Sequence, residues 1–433
     1  MKSHKRTYLD PVHQDIVLDG DIPEQRLIID LIDSKEFQRL RRIQQLGITS
    51  YTFQGAEGSR FTHSIGAMYV AYKFLNSITA SQSVINQYAP LILVSALLHD
   101  IGHGPFSHVT EKIINYHHED WSCRIIAGDT QVHKILESYK EFPNLAQSVV
   151  QVLQKKYIPK YVSQLISSQL DCDRCDYLLR DSYMTGTAYG QFALHRIASA
   201  LAVDEKEDRI LIVGKKGQTA VEDYLFARYA MYVQVYSHKK NLAARGHLAS
   251  IVKRAKFAWQ TKKDSCFMDD TMQAWLFDKN ISVEKYLLLD DVLLMYHIKR
   301  WCEANDLVLA DLAKRFLNRQ LFKAYRIPAN DPALIKDVHN KACLVAKKKG
   351  LDPDYYVGVE STDFRPYEHE PGSAQQQASI MVLGEDGKVH DLSALSLPIG
   401  AMVKGNYQTS WLIYSPELSD SFDDIVLKAV PAS

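Results

Sequence analysis

Residues 90–98, Pro-Leu-Ile-Leu-Val-Ser-Ala-Leu-Leu, carry no charge and a single hydroxyl. A helix built from them is apolar on nearly every face. Such a helix needs neighbours all round it, so it belongs at the centre of a bundle. The run is far shorter than the roughly 20 residues that span a bilayer. Pro90 suits a first turn, where its missing N–H costs nothing. The segment then closes on His99-Asp100. A His-Asp pair ending an apolar helix is costly to bury unless both side chains are bonded or ligated.

Helical periodicity continues on both sides. It covers 24–46 through Leu27, Ile28, Leu31, Ile32, Leu40, Ile43 and Leu46, with a break and a second cap expected at Asp33-Ser34. It returns over 63–80, 160–182, 191–202, 220–260, 284–303 and 306–325. Arg209–Val213, followed by Gly214-Lys215-Lys216-Gly217, reads as a short hairpin. Residues 326–332, Arg-Ile-Pro-Ala-Asn-Asp-Pro, have loop chemistry. One more helix is expected at 333–349. Strand-like runs follow at 355–359 and 378–383, with Asp386-Gly387 as the core of a hairpin turn. The expected fold is mainly α: a helical body over 1–325 with short β-hairpins, and a small α+β region over 326–433.

Of the 433 residues, 46% are hydrophobic and 24% charged, which excludes wholesale disorder. Lys+Arg and Asp+Glu both number 51, so the basic surplus of a nucleic-acid binder is missing. The first residues carry no apolar leader. With no membrane-length segment either, a cytoplasmic protein is expected. Its 6 cysteines then read as reduced thiols, and Cys172-x-x-Cys175 has no second pair nearby to complete a zinc site.

Chemistry concentrates between residues 63 and 120, which hold His63, His99, Asp100, His103, His108, His117, His118, Glu119 and Asp120. Imidazole and carboxylate together suit a divalent cation. A single histidine of this kind is usually a satisfied core residue. The adjacent pair, with one histidine upstream and one aspartate downstream, makes a ligand set the better reading.

The order His63, His99-Asp100, Asp173 resembles the H…HD…D pattern of the HD-domain phosphohydrolases. Finer matches lie in Phe37-Gln38-Arg39-Leu40-Arg41, Gln45-Leu46-Gly47, Arg60-Phe61-Thr62-His63, His99 through His108, Asp173-Arg174-Cys175-Asp176-Tyr177 and Arg180-Asp181. Over roughly residues 6–325 these resemble the deoxynucleoside triphosphate triphosphohydrolases of that superfamily, in their bacterial branch. The resemblance implies one divalent ion per site on His63, His99, Asp100 and Asp173, with Mn, Mg, Fe, Zn and Ni all admissible. A second Mg²⁺ travelling with the nucleotide phosphates is also compatible. It further implies release of deoxynucleoside and inorganic triphosphate. His108 and His118 match the two family histidines beside the scissile phosphate, one of which protonates the leaving oxygen. Glu111 stands where the family has an aspartate that orients this histidine, and His103 where phosphate oxygens are met. Arg60, Arg174 and Arg228 match triphosphate-binding positions. Gln45, Leu46, Tyr177, Asp181 and Tyr236 match the sugar pocket.

Asp33, Gln38 and Arg41 match residues that read a guanine nucleotide at an allosteric site, with Lys216, His238 and Lys239 where its phosphates bind. In the family such sites lie between subunits, so a homotetramer or dimer activated by dGTP or GTP is implied. Gln38, Arg39, Arg41 and Arg42 also suit an ordinary solvated helix face. Two other readings remain at this level. One is an HD phosphohydrolase acting on a nucleoside monophosphate or a cyclic dinucleotide. The other is a non-catalytic nucleotide sensor.

Overall fold

A computed structural model describes residues 4–79, 83–114, 116–278, 280–367, 379–405 and 407–421. Over these described residues the chain is mainly helical, with three small sheets. The apolar segment forms the helix Ala89–Leu98 with Pro90 in its first turn, and every residue from Leu91 to Leu98 is buried. It packs against the helices Arg60–Thr79, Leu145–Leu153 and Lys160–Ile166. The helix Arg60–Thr79 also packs along Cys172–Thr185. Three helix ends thereby meet: the start of Arg60–Thr79, the end of Ala89–Leu98 and the start of Cys172–Thr185.

Several helices stop where a local hydrogen bond competes with their continuation. The first helix, Pro23–Asp33, ends as expected, and Ser34 caps Lys35–Gln38 by accepting from Phe37 N. Arg39–Arg42 is a 3₁₀ turn, not α-helix. The expected helix 160–182 is two, because the Asp171 carboxylate accepts from Arg174 N at 2.7 Å and starts a new one. The expected 220–260 helix is likewise Lys215–Met231 and Lys239–Thr261, joined through a wide π-type turn at Tyr232–Tyr236. The 284–303 segment divides into Val283–Tyr286 and Asp291–Trp301, where Asp290 caps.

Strand β1 (Lys5–Asp10) pairs antiparallel with β2 (Gln14–Asp19), a hairpin the sequence did not announce, since Leu9 and Val17 face outward. Strand β3 (Leu201–Asp204) pairs with β4 (Arg209–Val213). The expected hairpin thus turns before residue 209. Residues 215–217 open the helix Lys215–Met231 and make no turn. The helix expected to reach 325 stops at Leu317, and Lys323–Arg326 becomes strand β5.

The C-terminal region is sewn into the body. Strand β6 is Val357–Thr362, β7 Met381–Leu383, β8 Val389–Asp391 and β9 Thr409–Tyr414. β7 lies parallel to β4, and β9 lies between β5 and β6. The β7–β8 hairpin turns at Gly384–Gly387, as Asp386-Gly387 predicts. A second small core of Ile327, Val338, Ala342, Leu412 and Leu418 sits under the helix Pro332–Lys348.

Candidate metal centre and nucleotide cavity

The helix ends bring His63, His99, Asp100 and Asp173 together. Asp173 Oδ1 lies 3.1 Å from His63 Nε2 and 3.4 Å from His99 Nε2. Asp100 lies 3.6 Å from His63 Nε2 through Oδ2 and 3.3 Å from His99 Nε2 through Oδ1. Both Nε2 atoms are buried, and neither is aligned for a hydrogen bond. Two imidazole nitrogens and two carboxylates thus converge on one point, a donor set that suits a divalent cation. Burial lowers the His63 value, yet the nearby Asp173 and Asp176 carboxylates push it up to about 10. Burial acts the same way on His99, and Asp100 and Asp173 raise it to about 9. The centre is thus electrostatically suited to positive charge.

Each of these two nitrogens is aimed from behind. His63 Nδ1 donates to Asp176 Oδ2 at 2.8 Å, and His99 Nδ1 to the Ala96 carbonyl at 2.8 Å. Such partners fix the tautomer that leaves Nε2 available. Asp176 was only part of a matching string in the sequence. Its spacing to Arg180, four residues on, was the signal for a buried pair.

A cavity of about 460 Å³ opens over Asp100 and Asp173. Gln45, Leu46, Arg60, Arg174, Tyr177, Asp181, Arg228 and Tyr236 all line it, as do His103 and His118. Arg60 donates to Asp100 Oδ2 at 2.5 Å, and its Nε has no partner. Arg228 donates to Gln169 Oε1 at 2.7 Å and to the Pro366 carbonyl. The Tyr236 hydroxyl donates to Asp181 at 2.8 Å. His103 Nε2 lies 3.1 Å from Asp100, and its ring stacks on His118 with centroids 3.8 Å apart. Asp100, His103 and His118 present a second group of donors within 4.8 Å of one another. His118 Nδ1 donates to Glu111 Oε1 at 2.9 Å, so the longer glutamate arm does reach. The His108 side chain lies outside the described residues.

Sequence reasoning missed other parts of the cavity. Phe364, from the C-terminal region, lines it and stacks on Tyr232 at 3.5 Å. Asp291 accepts from Gln44 N and Phe106 N, tying two rims together, and burial pushes its carboxyl up to about 7. Gly102 is needed for close approach: a Cβ there would lie 2.2 Å from the His118 carbonyl and from Ser122 N.

None of Asp33, Gln38, Arg41, Lys216, His238 and Lys239 lines this cavity. Asp33 pairs with Arg6 at 2.6 Å, and Arg41 donates to Gln38 at 2.8 Å. His238 accepts from Lys240 N and caps the helix Lys239–Thr261. Lys216 and Lys239 are exposed. Arg39 is no part of a solvated face. It is 1% exposed and donates to the carbonyls of Leu289, Ile101 and His103.

Burial pushes the Asp181 carboxyl up to about 7, with the Tyr236 hydroxyl opposing. The folded chain therefore holds a proton here that the unfolded chain releases near pH 4. Its penalty is absent below that pH, grows as pH rises towards 7 and is complete above it. Asp181→Asn should accordingly melt higher than wild type at pH 8, by a few degrees, and no higher at pH 4. A gap that narrows as pH rises would contradict this assignment.

The HD-domain family profile matches residues 60–181. The chain is 37% identical over 418 residues to the uncharacterized protein YwfO of Bacillus subtilis, across 96% of this chain and 93% of that one. A crystal structure of a phosphohydrolase from Bacteroides thetaiotaomicron superposes with a TM-score of 0.79 at 28% identity, covering 95% and 99% of the two chains. The chain belongs to the HD-domain phosphohydrolase family. It is also 29% identical over 236 residues to the deoxynucleoside triphosphate triphosphohydrolase SAMHD1 homolog of Dictyostelium discoideum, spanning 52% of this chain and 45% of that relative. No helix among the described residues is long and apolar enough to cross a membrane.

Proposed function

We propose that this phosphohydrolase converts a deoxynucleoside triphosphate and water into the deoxynucleoside and inorganic triphosphate. One observation carries the reading. The Tyr177 ring lies 6.5 Å from His63 and 6.2 Å from Tyr236, so a sugar held by Tyr177 and Tyr236 would sit beside the proposed ion. The phosphorus nearest the sugar is then the one presented to Asp100 and Asp173. Arg60, Arg174 and Arg228 in the same cavity offer charge for the two outer phosphates, more than a monophosphate needs.

In this reading His63, His99, Asp100 and Asp173 hold one divalent ion. Bound there, the ion supplies Lewis-acid polarisation of the phosphate and acidifies water. Water oxygen forms the new bond to the α-phosphorus, and the bond to the 5′-oxygen breaks. His118, held by Glu111, gives that oxygen its proton. Asp181 and Tyr236 hold the 3′-hydroxyl edge of the sugar, and the Tyr236 ring fills the room a 2′-hydroxyl needs.

The reading extends to control by dGTP or GTP at a site between subunits of a dimer or tetramer. Asp33 there accepts from guanine N1–H and N2, donors adenine lacks. Lys216, His238 and Lys239 meet its phosphates from a neighbouring subunit. Arg39 supports a route inward, since it sits between Gln38 and Arg41 and bonds the His103 carbonyl. Effector and subunit association would then be linked by mass action.

Product analysis tests all of this. Each dNTP is incubated with Mn²⁺ or Mg²⁺, with and without dGTP or GTP, using wild type and Asp33→Ala. Triphosphate and deoxynucleoside are expected, with guanine activation present in wild type and lost in Asp33→Ala. Release of phosphate or diphosphate, or turnover only of monophosphates or cyclic dinucleotides, would replace the substrate reading. Full wild-type activity without any guanine nucleotide would remove the effector.

A further inference from the structure

Behind His63 lies a closed set of buried charges that the proposed chemistry does not use. Asp176 is fully buried, and four donors converge on its two oxygens. His63 Nδ1 and Arg180 Nε both bond Oδ2 at 2.8 Å. Arg180 Nη2 bonds Oδ1 at 2.9 Å, and His13 Nε2 bonds the same oxygen at 2.6 Å. Arg180 Nη1 reaches on to Asp10 Oδ2 at 2.8 Å. The other oxygen of Asp10 accepts from Val12 N and His13 N, which closes the β1–β2 turn. The tip of the amino-terminal hairpin is thus bonded to a candidate metal ligand through one carboxylate.

The sequence makes room for this arrangement. Gly66 lies one turn after His63 on the same helix, and a Cβ there would fall 2.0 Å from Asp176 Oδ1 and 2.3 Å from Arg180 Nη2. Only glycine lets the pair pass under the helix.

We propose that His13, acting through Asp176, is a positioning residue for His63, so that the hairpin turn is part of the metal centre. The inference rests on the reading of His63 as a ligand. Its physical content is orientational. Arg180 holds both oxygens of Asp176 in one plane, and His13 adds a bond from a second element, the hairpin turn. The His13 N–H fixes the Oδ1 end, so Oδ2 meets His63 Nδ1 squarely and the ring presents Nε2 to the cation. Outer partners of this kind are typically worth about 10–100-fold in metal affinity.

The test titrates Mn²⁺ into metal-free protein, following the free-ion paramagnetic resonance signal, and records the visible spectrum of the Co²⁺-loaded protein. His13→Phe keeps an aromatic ring against Tyr69, which His13 meets at 5.7 Å, and removes the donor. It should weaken Mn²⁺ binding by about tenfold or more and shift the Co²⁺ bands. His13→Gln, which keeps an N–H donor, should recover most of the affinity. Asp176→Asn should weaken binding at least as much as His13→Phe, and it decides the matter if His13→Phe does not fold. Wild-type affinity and spectrum in His13→Phe or Asp176→Asn overturn the inference. So does a His13→Gln protein as weak as His13→Phe, or a loss of affinity matched by an equal loss of metal-free melting stability in both. Failure of the wild type to bind Mn²⁺ at all strikes the ligand reading instead, so the two failures are distinguishable.

Discussion

Asp100→Asn should leave a folded protein that binds its divalent ion poorly and turns nucleotide over at least about a thousandfold more slowly, as befits the loss of an ion worth several kcal/mol at the transition state. The size of the effect follows from where the carboxylate sits. Its two oxygens lie 3.3 and 3.6 Å from the two histidine nitrogens, and they also meet Arg60 at 2.5 Å and His103 at 3.1 Å. One side chain therefore holds the proposed ion site, the Arg60 guanidinium and a neighbouring imidazole together. Asp100→Ala should be equally inactive but also less stable. It leaves the Arg60 guanidinium buried without its partner, a loss of about 3–5 kcal/mol in comparable buried pairs. Metal analysis, turnover and melting of both variants check this. If Asp100→Asn retained both its ion and its rate, the ligand set proposed here would be wrong.

The parts of this site that could be read from the sequence are those tied to helix ends. His63, His99, Asp100 and Asp173 lie at the ends of strongly periodic segments, and a helix end fixes where a side chain goes even when its boundary is off by a few residues. Gln45 and Leu46 were placed in the cavity even though the helix expected around them is absent. Their neighbour Ser59 pairs with Gln44 by a β-bridge that no local propensity predicts. Arg39 shows the opposite case. Read as one charged residue among four on a helix face, it is instead buried, because residues 39–42 form a 3₁₀ turn that points its side chain inward at three carbonyls. The bond between His13 and Asp176 spans 163 positions. Nothing short of the assembled fold relates them. Phe364 is the same problem at larger scale. It reaches the cavity only because β6 runs beside β9, and β9 beside β5, whose start was read as the end of a helix.

His118→Ala should lower turnover of deoxynucleoside triphosphates by about 10²–10⁴-fold while leaving Mn²⁺ affinity close to wild type, the span expected for a general acid removed from a reaction that needs one. The 5′-oxygen leaves as an alkoxide unless it is protonated, so the step is slow without a donor in reach. His118 begins the helix His118–Ala127, lines the cavity and stacks on His103. Glu111, on the preceding helix, accepts from its Nδ1 at 2.9 Å. That bond fixes the ring, and in the proposed reaction Nε2 is the nitrogen that meets the leaving oxygen. Glu111→Gln keeps an acceptor for Nδ1 and should cost far less than loss of the imidazole, about tenfold, while Glu111→Ala should fall between the two. A substrate whose leaving group needs no proton separates acid catalysis from mere shape. On bis(p-nitrophenyl) phosphate, which releases a stabilised phenolate, His118→Ala should lose less than about tenfold, because the proton it supplies is no longer required. An equal loss on both substrates would mean that His118 positions phosphate and does not protonate the leaving group. The donor would then have to be sought at His108, the other histidine of the motif.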